Sequence, residues 1–119
     1  MNLFESAEDY LETILILSRK GPVHAVHIAN YLNFTKPSVS IAMKKLETNG
    51  YIYTDELHHI HLTDNGMKVA TEVYEKHTTI TQFFVNLGVK EEIAEKDACK
   101  IEHVISDETF EAIKNHLGK

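Results

Sequence analysis

The sequence predicts a mostly α-helical protein with one small β-hairpin: a winged helix-turn-helix domain, residues 1–72, followed by an α-helical domain suited to dimerisation, residues 73–119. Three observations predict this. Two short helical segments joined by a tight turn lie between Val26 and Gly50, two strand-like runs follow at once, and three amphipathic helices then carry more apolar surface than a single winged helix needs to cover.

The first helix is expected from about Ser6 to Arg19. Phe4, Ala7, Leu11, Ile14 and Leu15 fall on one face, and Glu5, Glu8, Asp9 and Glu12 lie away from it. Asp9 and Glu12 are neighbours at i, i+3. Ser6 followed by Asp9 also resembles a capping box, and acids in a first turn suit the helix dipole, so these carboxylates have both a local and a functional reading. After Gly21-Pro22 a short helix spans Val26 to Leu32, the turn Asn33-Phe-Thr-Lys36 follows, and a second helix is opened by Pro37 and ended by Gly50. Val39, Ala42, Met43 and Leu46 form its buried stripe. That leaves Ser38, Ser40, Ile41, Lys44 and Lys45 facing outward, a small, polar and basic surface such as a helix entering a DNA major groove presents. Thr35, Lys36 and Pro37, at the entry to the same helix, complete the candidate DNA-binding set.

Tyr51-Ile-Tyr-Thr54 and His59-Ile-His-Leu62, joined by Asp55-Glu-Leu-His58, make the hairpin, or wing. Thr63 then caps a long helix to about Leu87, whose apolar series Ala70, Val73, Ile80, Phe84 and Leu87 is interrupted by His77. A histidine in such a stripe is a satisfied core residue or a ligand. Gly88 stops this helix. The next, Glu91 to Ile105, buries Ala94, Ala98, Ile101 and Ile105, and a last one, Asp107 to Leu117, shows Phe110, Ile113 and Leu117. The surplus apolar face implies a twofold dimer, the symmetry that matches palindromic half-sites.

Within the segment before Ser106, Cys99, Glu102 and His103 stand at i, i+3 and i+4. On a helix that spacing gathers a thiolate, a carboxylate and an imidazole on one face, a donor set for one transition-metal ion. The alternative is a buried cysteine beside an exposed Glu and His. Composition bounds the partners. The 119 residues carry a formal net charge of −6, against a simple basic nucleic-acid binder; the single cysteine allows no intrachain disulfide; and no long apolar run suggests a membrane span. A cytoplasmic protein with no membrane association is expected.

Ser6-Ala-Glu-Asp-Tyr-Leu-Glu-Thr-Ile14, Ile28-Ala29, Pro37-Ser-Val-Ser40, Lys45-Leu46, Leu62-Thr63, the lone His77, Leu87-Gly-Val89 and Asp97-Ala-Cys-Lys-Ile-Glu-His103 together resemble the diphtheria-toxin-repressor and manganese-transport-regulator family. The resemblance covers nearly the whole chain, in order and spacing, and is to the two-domain form without the SH3-like domain. It implies a metal-activated, dimeric winged-helix repressor of metal-uptake genes that binds an inverted-repeat DNA operator. The metal ligands it implies are Asp9, Glu12, His77, Cys99, Glu102 and His103, and the co-repressor is Mn2+ or Fe2+, with Zn2+ or Co2+ as substitutes in vitro. Asp9 and Glu12 match the acidic pair of manganese-type members. Cys99 departs from that pattern, because manganese-type members usually carry Glu there and iron-type members Cys. Thr81 and Glu95 stand where the iron-type ancillary site uses Glu and His, so that site is expected to be missing. Ile41 stands where a polar residue often occurs, and an apolar contact to thymine methyls is a plausible substitute.

Two other classes compete. A winged-helix regulator could answer to Zn2+ or to another ligand. A small metalloenzyme could use the same donors, but no H-E-x-x-H motif, no acid/base pair beyond the ligands and no Gly-rich phosphate loop accompany them.

Overall fold

The computed structural model describes residues 3–118, with side chains described from Ser6 to Gly118; Phe4 and Glu5 of the expected first-helix pattern therefore lie outside the described side chains. The described residues form α1 (Leu3–Ser18), α2 (Ala25–Leu32), α3 (Lys36–Thr48), β1 (Ile52–Thr54), β2 (Ile60–Leu62), α4 (Asp64–Asn86), α5 (Glu91–Ile101) and α6 (Asp107–His116). They divide into two compact units, 1–71 and 72–119, with the division inside α4.

In the first unit α1 begins at Leu3, so Ser6 is inside the helix and cannot cap it. Asp9 lies beyond the first turn, where the helix dipole has faded, and the local reading of these acids loses its basis. The expectation that Glu12 lies away from the buried face is corrected. Tyr10, Leu11, Glu12, Thr13, Ile14 and Leu15 are all buried, so burial in this stretch is not confined to one stripe. α1 packs on α2 and β2, and α3 packs on α2 and β1. Between α2 and α3, Asn33 adopts the left-handed conformation (φ 59°, ψ 44°), and Thr35 caps α3 by accepting the Ser38 N–H. Val39, Met43 and Leu46 are buried; Ala42 is half-buried.

The hairpin pairs Ile52 with Leu62, Tyr53 with His61 and Thr54 with Ile60. The Ile60 N–H also donates to Val23 O at 2.8 Å, tying the wing to the segment before α2. Thr63 fastens the wing to α4. Its hydroxyl donates to Gly50 O at 2.6 Å and accepts the Gly66 N–H at 3.2 Å. Gly66 is dictated by closeness, since a Cβ there would fall 1.9 Å from Tyr51 O.

In the second unit Ile80, Ala98 and Phe110 form the core, with Phe84, Ile101 and Ile105 packed against it. Leu87, expected on the buried stripe of the long helix, is 64% exposed, because the helix ends at Asn86 and Gly88 (φ 104°) turns the chain. Ser106 caps α6 through the Thr109 N–H.

Candidate metal centre and nucleic-acid interface

The second unit holds a buried carboxylate between two imidazoles. Glu102 Oε2 lies 2.9 Å from His77 Nδ1, and Glu102 Oε1 lies 3.5 Å from His103 Nε2. The Glu102 side chain is 0% exposed and that of His103 2%, whereas His77 on α4 keeps 24% of its side chain exposed.

Local structure explains the placement. α5 ends four residues before the expected Ile105, at Ile101; Glu102 is its C-cap, still right-handed (φ −57°, ψ −26°), with its N–H on Ala98 O. The chain loosens beyond Glu102, but the Ile105 N–H still reaches Ile101 O at 2.9 Å, so His103 sits on one further open turn. The helical offsets read from the sequence therefore survive the end of the helix. Cys99 stands one turn before Glu102 and is exposed. This reverses the alternative of a buried thiol beside an exposed acid and imidazole.

These residues fit a divalent metal. Donor atoms sharing one ion at bonds of about 2.0–2.2 Å lie roughly 2.8–3.6 Å apart, and each imidazole keeps such a distance from the Glu102 oxygen that it faces, His77 from Oε2 and His103 from Oε1. Imidazole and carboxylate suit Mn2+, Fe2+ and Zn2+, and a neighbouring thiolate tilts the set toward the softer ions. Asp9 and Glu12 occupy i, i+3 positions on α1 in the first unit, Asp9 half-buried and Glu12 about 9% exposed. Burial, with a smaller contribution from the Asp9 carboxylate, raises the Tyr10 phenol above its ordinary value.

The DNA-binding candidates behave as a surface. Thr35, Lys36, Pro37, Ser38, Ser40, Ile41, Lys44 and Lys45 are all exposed, Ile41 by 59%. Thr35 and Ser38 also have a structural task, since the Thr35 hydroxyl donates to Ser38 Oγ at 2.8 Å while capping α3.

Comparison with known proteins agrees with both halves. Residues 2–60 match the N-terminal DNA-binding domain of the iron-dependent repressors, and residues 63–119 match their metal-binding and dimerisation domain. The chain belongs to the iron-dependent repressor family. This is a family of metal-dependent, DNA-binding transcriptional regulators. Among relatives, a helix-turn-helix transcriptional regulator of Methanocaldococcus jannaschii is 36% identical over 118 residues, 97% of this chain and 94% of the relative. The transcriptional regulator MntR of Escherichia coli O157:H7 is 37% identical over 111 residues, 92% of this chain and 72% of MntR. The solved structure of the manganese regulator SloR superposes with a TM-score of 0.84 at 31% identity, over 94% of this chain; the chain spans about half of SloR's length, 53%.

Two structural features were not read from the sequence. Gly66 is one; an isolated glycine in a helical pattern is its only sequence signal. Asp55 is the other, where an Asp opening a turn signals a side chain that binds the backbone ahead of it.

Proposed function

We propose that the protein represses metal-uptake genes with Mn2+ or Fe2+ as co-repressor. Asp9, Glu12, His77, Cys99, Glu102 and His103 supply the ligands, for one ion or a pair. A homodimer presents two copies of α3 to an inverted-repeat operator, reading bases through Ser38 and Ile41 and phosphates through Lys44 and Lys45, with Thr35, Lys36, Pro37 and Ser40 along the same face. The protein acts in the cytoplasm, and no catalytic activity is assigned to it. No helix of the described residues is long and apolar enough to cross a membrane.

The observation that carries the reading is the buried Glu102 carboxylate between His77 and His103. Bound metal supplies two positive charges to an acidic chain. Glu102 and His103, fixed by their burial, hold their donors in place before an ion arrives, which lowers the ordering cost of binding. Metal-dependent repression requires only that the ion bind the operator-competent conformation more tightly than the other. Exposed Leu87, Ile93 and Val104 in the second unit support a self-associating surface there.

The test is operator binding by Glu102→Ala and His103→Ala proteins with added metal or chelator. Loss of metal-dependent binding by a folded dimer is expected. Unchanged operator affinity at saturating metal in both variants would refute the assignment.

A further inference from the structure

The wing lacks the charge that DNA contact demands. Between Tyr51 and Thr63 there is no lysine or arginine; apart from the tyrosines, the ionisable side chains are Asp55, Glu56, His58, His59 and His61. Residues 1–71 as a whole hold six Lys and Arg against eight Asp and Glu. A wing lying along a phosphate backbone gains from cations and loses from anions. With neutral histidines this wing offers only negative charge.

The fold gathers imidazoles at this place. His61 Nε2 lies 2.8 Å and His59 Nδ1 3.5 Å from Asp55 Oδ2. The other oxygen, Oδ1, accepts the N–H groups of Leu57 and His59, each at 2.9 Å. The His61 hydrogen bond first, and the His59 backbone N–H next, hold the Asp55 carboxyl well below its usual range, at about 2. His24 at the start of α2 meets His59 edge-on at 4.6 Å and His27 at 5.4 Å, and His61 stacks on Tyr53 at 4.9 Å. His58 is exposed in the turn, in the left-handed conformation (φ 64°). Glu56 lies in the turn, and Glu47 of α3 accepts the Thr54 hydroxyl at 3.4 Å.

We propose that the wing is a proton-linked phosphate-contact surface: His58, His59 and His61, when protonated, carry the positive charge with which it meets the DNA backbone, and Asp55 holds the inner two rings in place. The proposal rests on the DNA-binding reading above. Histidine changes charge between about pH 5 and 8, so protonating all three turns a wing with two acids into a net cation. Asp55 stays ionised across that range and serves as a fixed anchor. Nearby phosphates favour the charged imidazoles, so binding takes up protons and strengthens as pH falls. Acid acts in the opposite sense on the metal ligands, because protonated imidazoles do not bind metal.

The experiment measures affinity of the full chain for operator and for a random duplex at saturating Mn2+, at pH 6.5 and pH 8.0 and across salt. It compares wild type with His58→Asn, which suits a left-handed position, with the double variant His59→Gln/His61→Gln, and with His58→Lys. Wild type is expected to bind both duplexes roughly three- to tenfold more tightly at pH 6.5. The neutral variants should lose that gain and, at pH 6.5, show a shallower salt slope. His58→Lys should bind more tightly at pH 8.0 with a flatter pH profile. Metal-dependent binding with the same pH profile in wild type and all variants would overturn the wing proposal alone. Absence of metal-dependent binding in wild type at both pH values would overturn the DNA-binding reading on which it stands. His58→Asn keeps the test decisive if the double variant disturbs the turn.

Discussion

Replacing Glu102 with Gln separates a metal ligand from a structural acid, because the two roles predict opposite behaviour of the apo and loaded protein. The substitution keeps the volume of a side chain that is 0% exposed and removes the charge between His77 at 2.9 Å and His103 at 3.5 Å. As a ligand, the carboxylate is worth at least about a hundredfold in metal affinity, or ~2.7 kcal/mol. At free metal a thousand times the wild-type Kd, wild type is stabilised by ~4.1 kcal/mol and the variant by ~1.4 kcal/mol. At roughly 4 °C per kcal/mol, the metal-induced rise in Tm should shrink by about 10 °C. The apo Tm should move little, since removing a buried charge also removes its desolvation cost. Calorimetry with and without Mn2+ reads both quantities. A purely structural ion pair predicts the reverse, with about 3–5 kcal/mol lost from the apo protein and an unchanged response to metal. That outcome would make Glu102 a structural acid and not a ligand.

Gly66→Ala places a Cβ 1.9 Å from Tyr51 O, at the junction of wing and α4, and should destabilise the first unit by about 2–4 kcal/mol; chemical unfolding near wild-type stability would contradict the close approach. Cys99→Glu should shift the ratio of activation midpoints toward Mn2+, and Asp9→Met toward Fe2+, because carboxylates favour the harder ion; a ratio unmoved by Cys99→Glu means that the exposed thiol is not a ligand. Lys44→Ala and Lys45→Ala should weaken binding to all sequences, each with a salt slope shallower by about one. Ser38 and Ile41 substitutions should instead alter base preference, and equal losses on all sequences for the four sites would remove that division.

Most of the fold was legible because its signals are local. The α2–turn–α3 pair, the hairpin and the Thr63 cap are written in residues that act on their own neighbours. Glu102 and His103 were legible as a pair because a loosened turn preserves helical offsets past the end of α5. What the sequence hid depends on distance. Glu12 lies in a run of six buried residues, Tyr10 to Leu15, which one face of apolar residues does not announce. Gly66 is fixed by a carbonyl from Tyr51, fifteen residues earlier. Asp55 shows its turn role in sequence, but the meeting of His59 and His61 on one of its oxygens, with His24 packed beside them, exists only after β1 and β2 pair and α2 is docked. The relative burial of Cys99, Glu102 and His103 was likewise invisible, since spacing places side chains on one face without saying which face is covered.

The most direct test is to select an operator from random duplexes with Mn2+-loaded protein, then titrate apo-protein and operator separately with Mn2+, Fe2+ under anaerobic conditions, Zn2+ and Co2+. Little operator binding is expected without metal, with activation by both Mn2+ and Fe2+ and reversal by chelator. Tight operator binding by the metal-free protein, unchanged by any of the four ions, would contradict it.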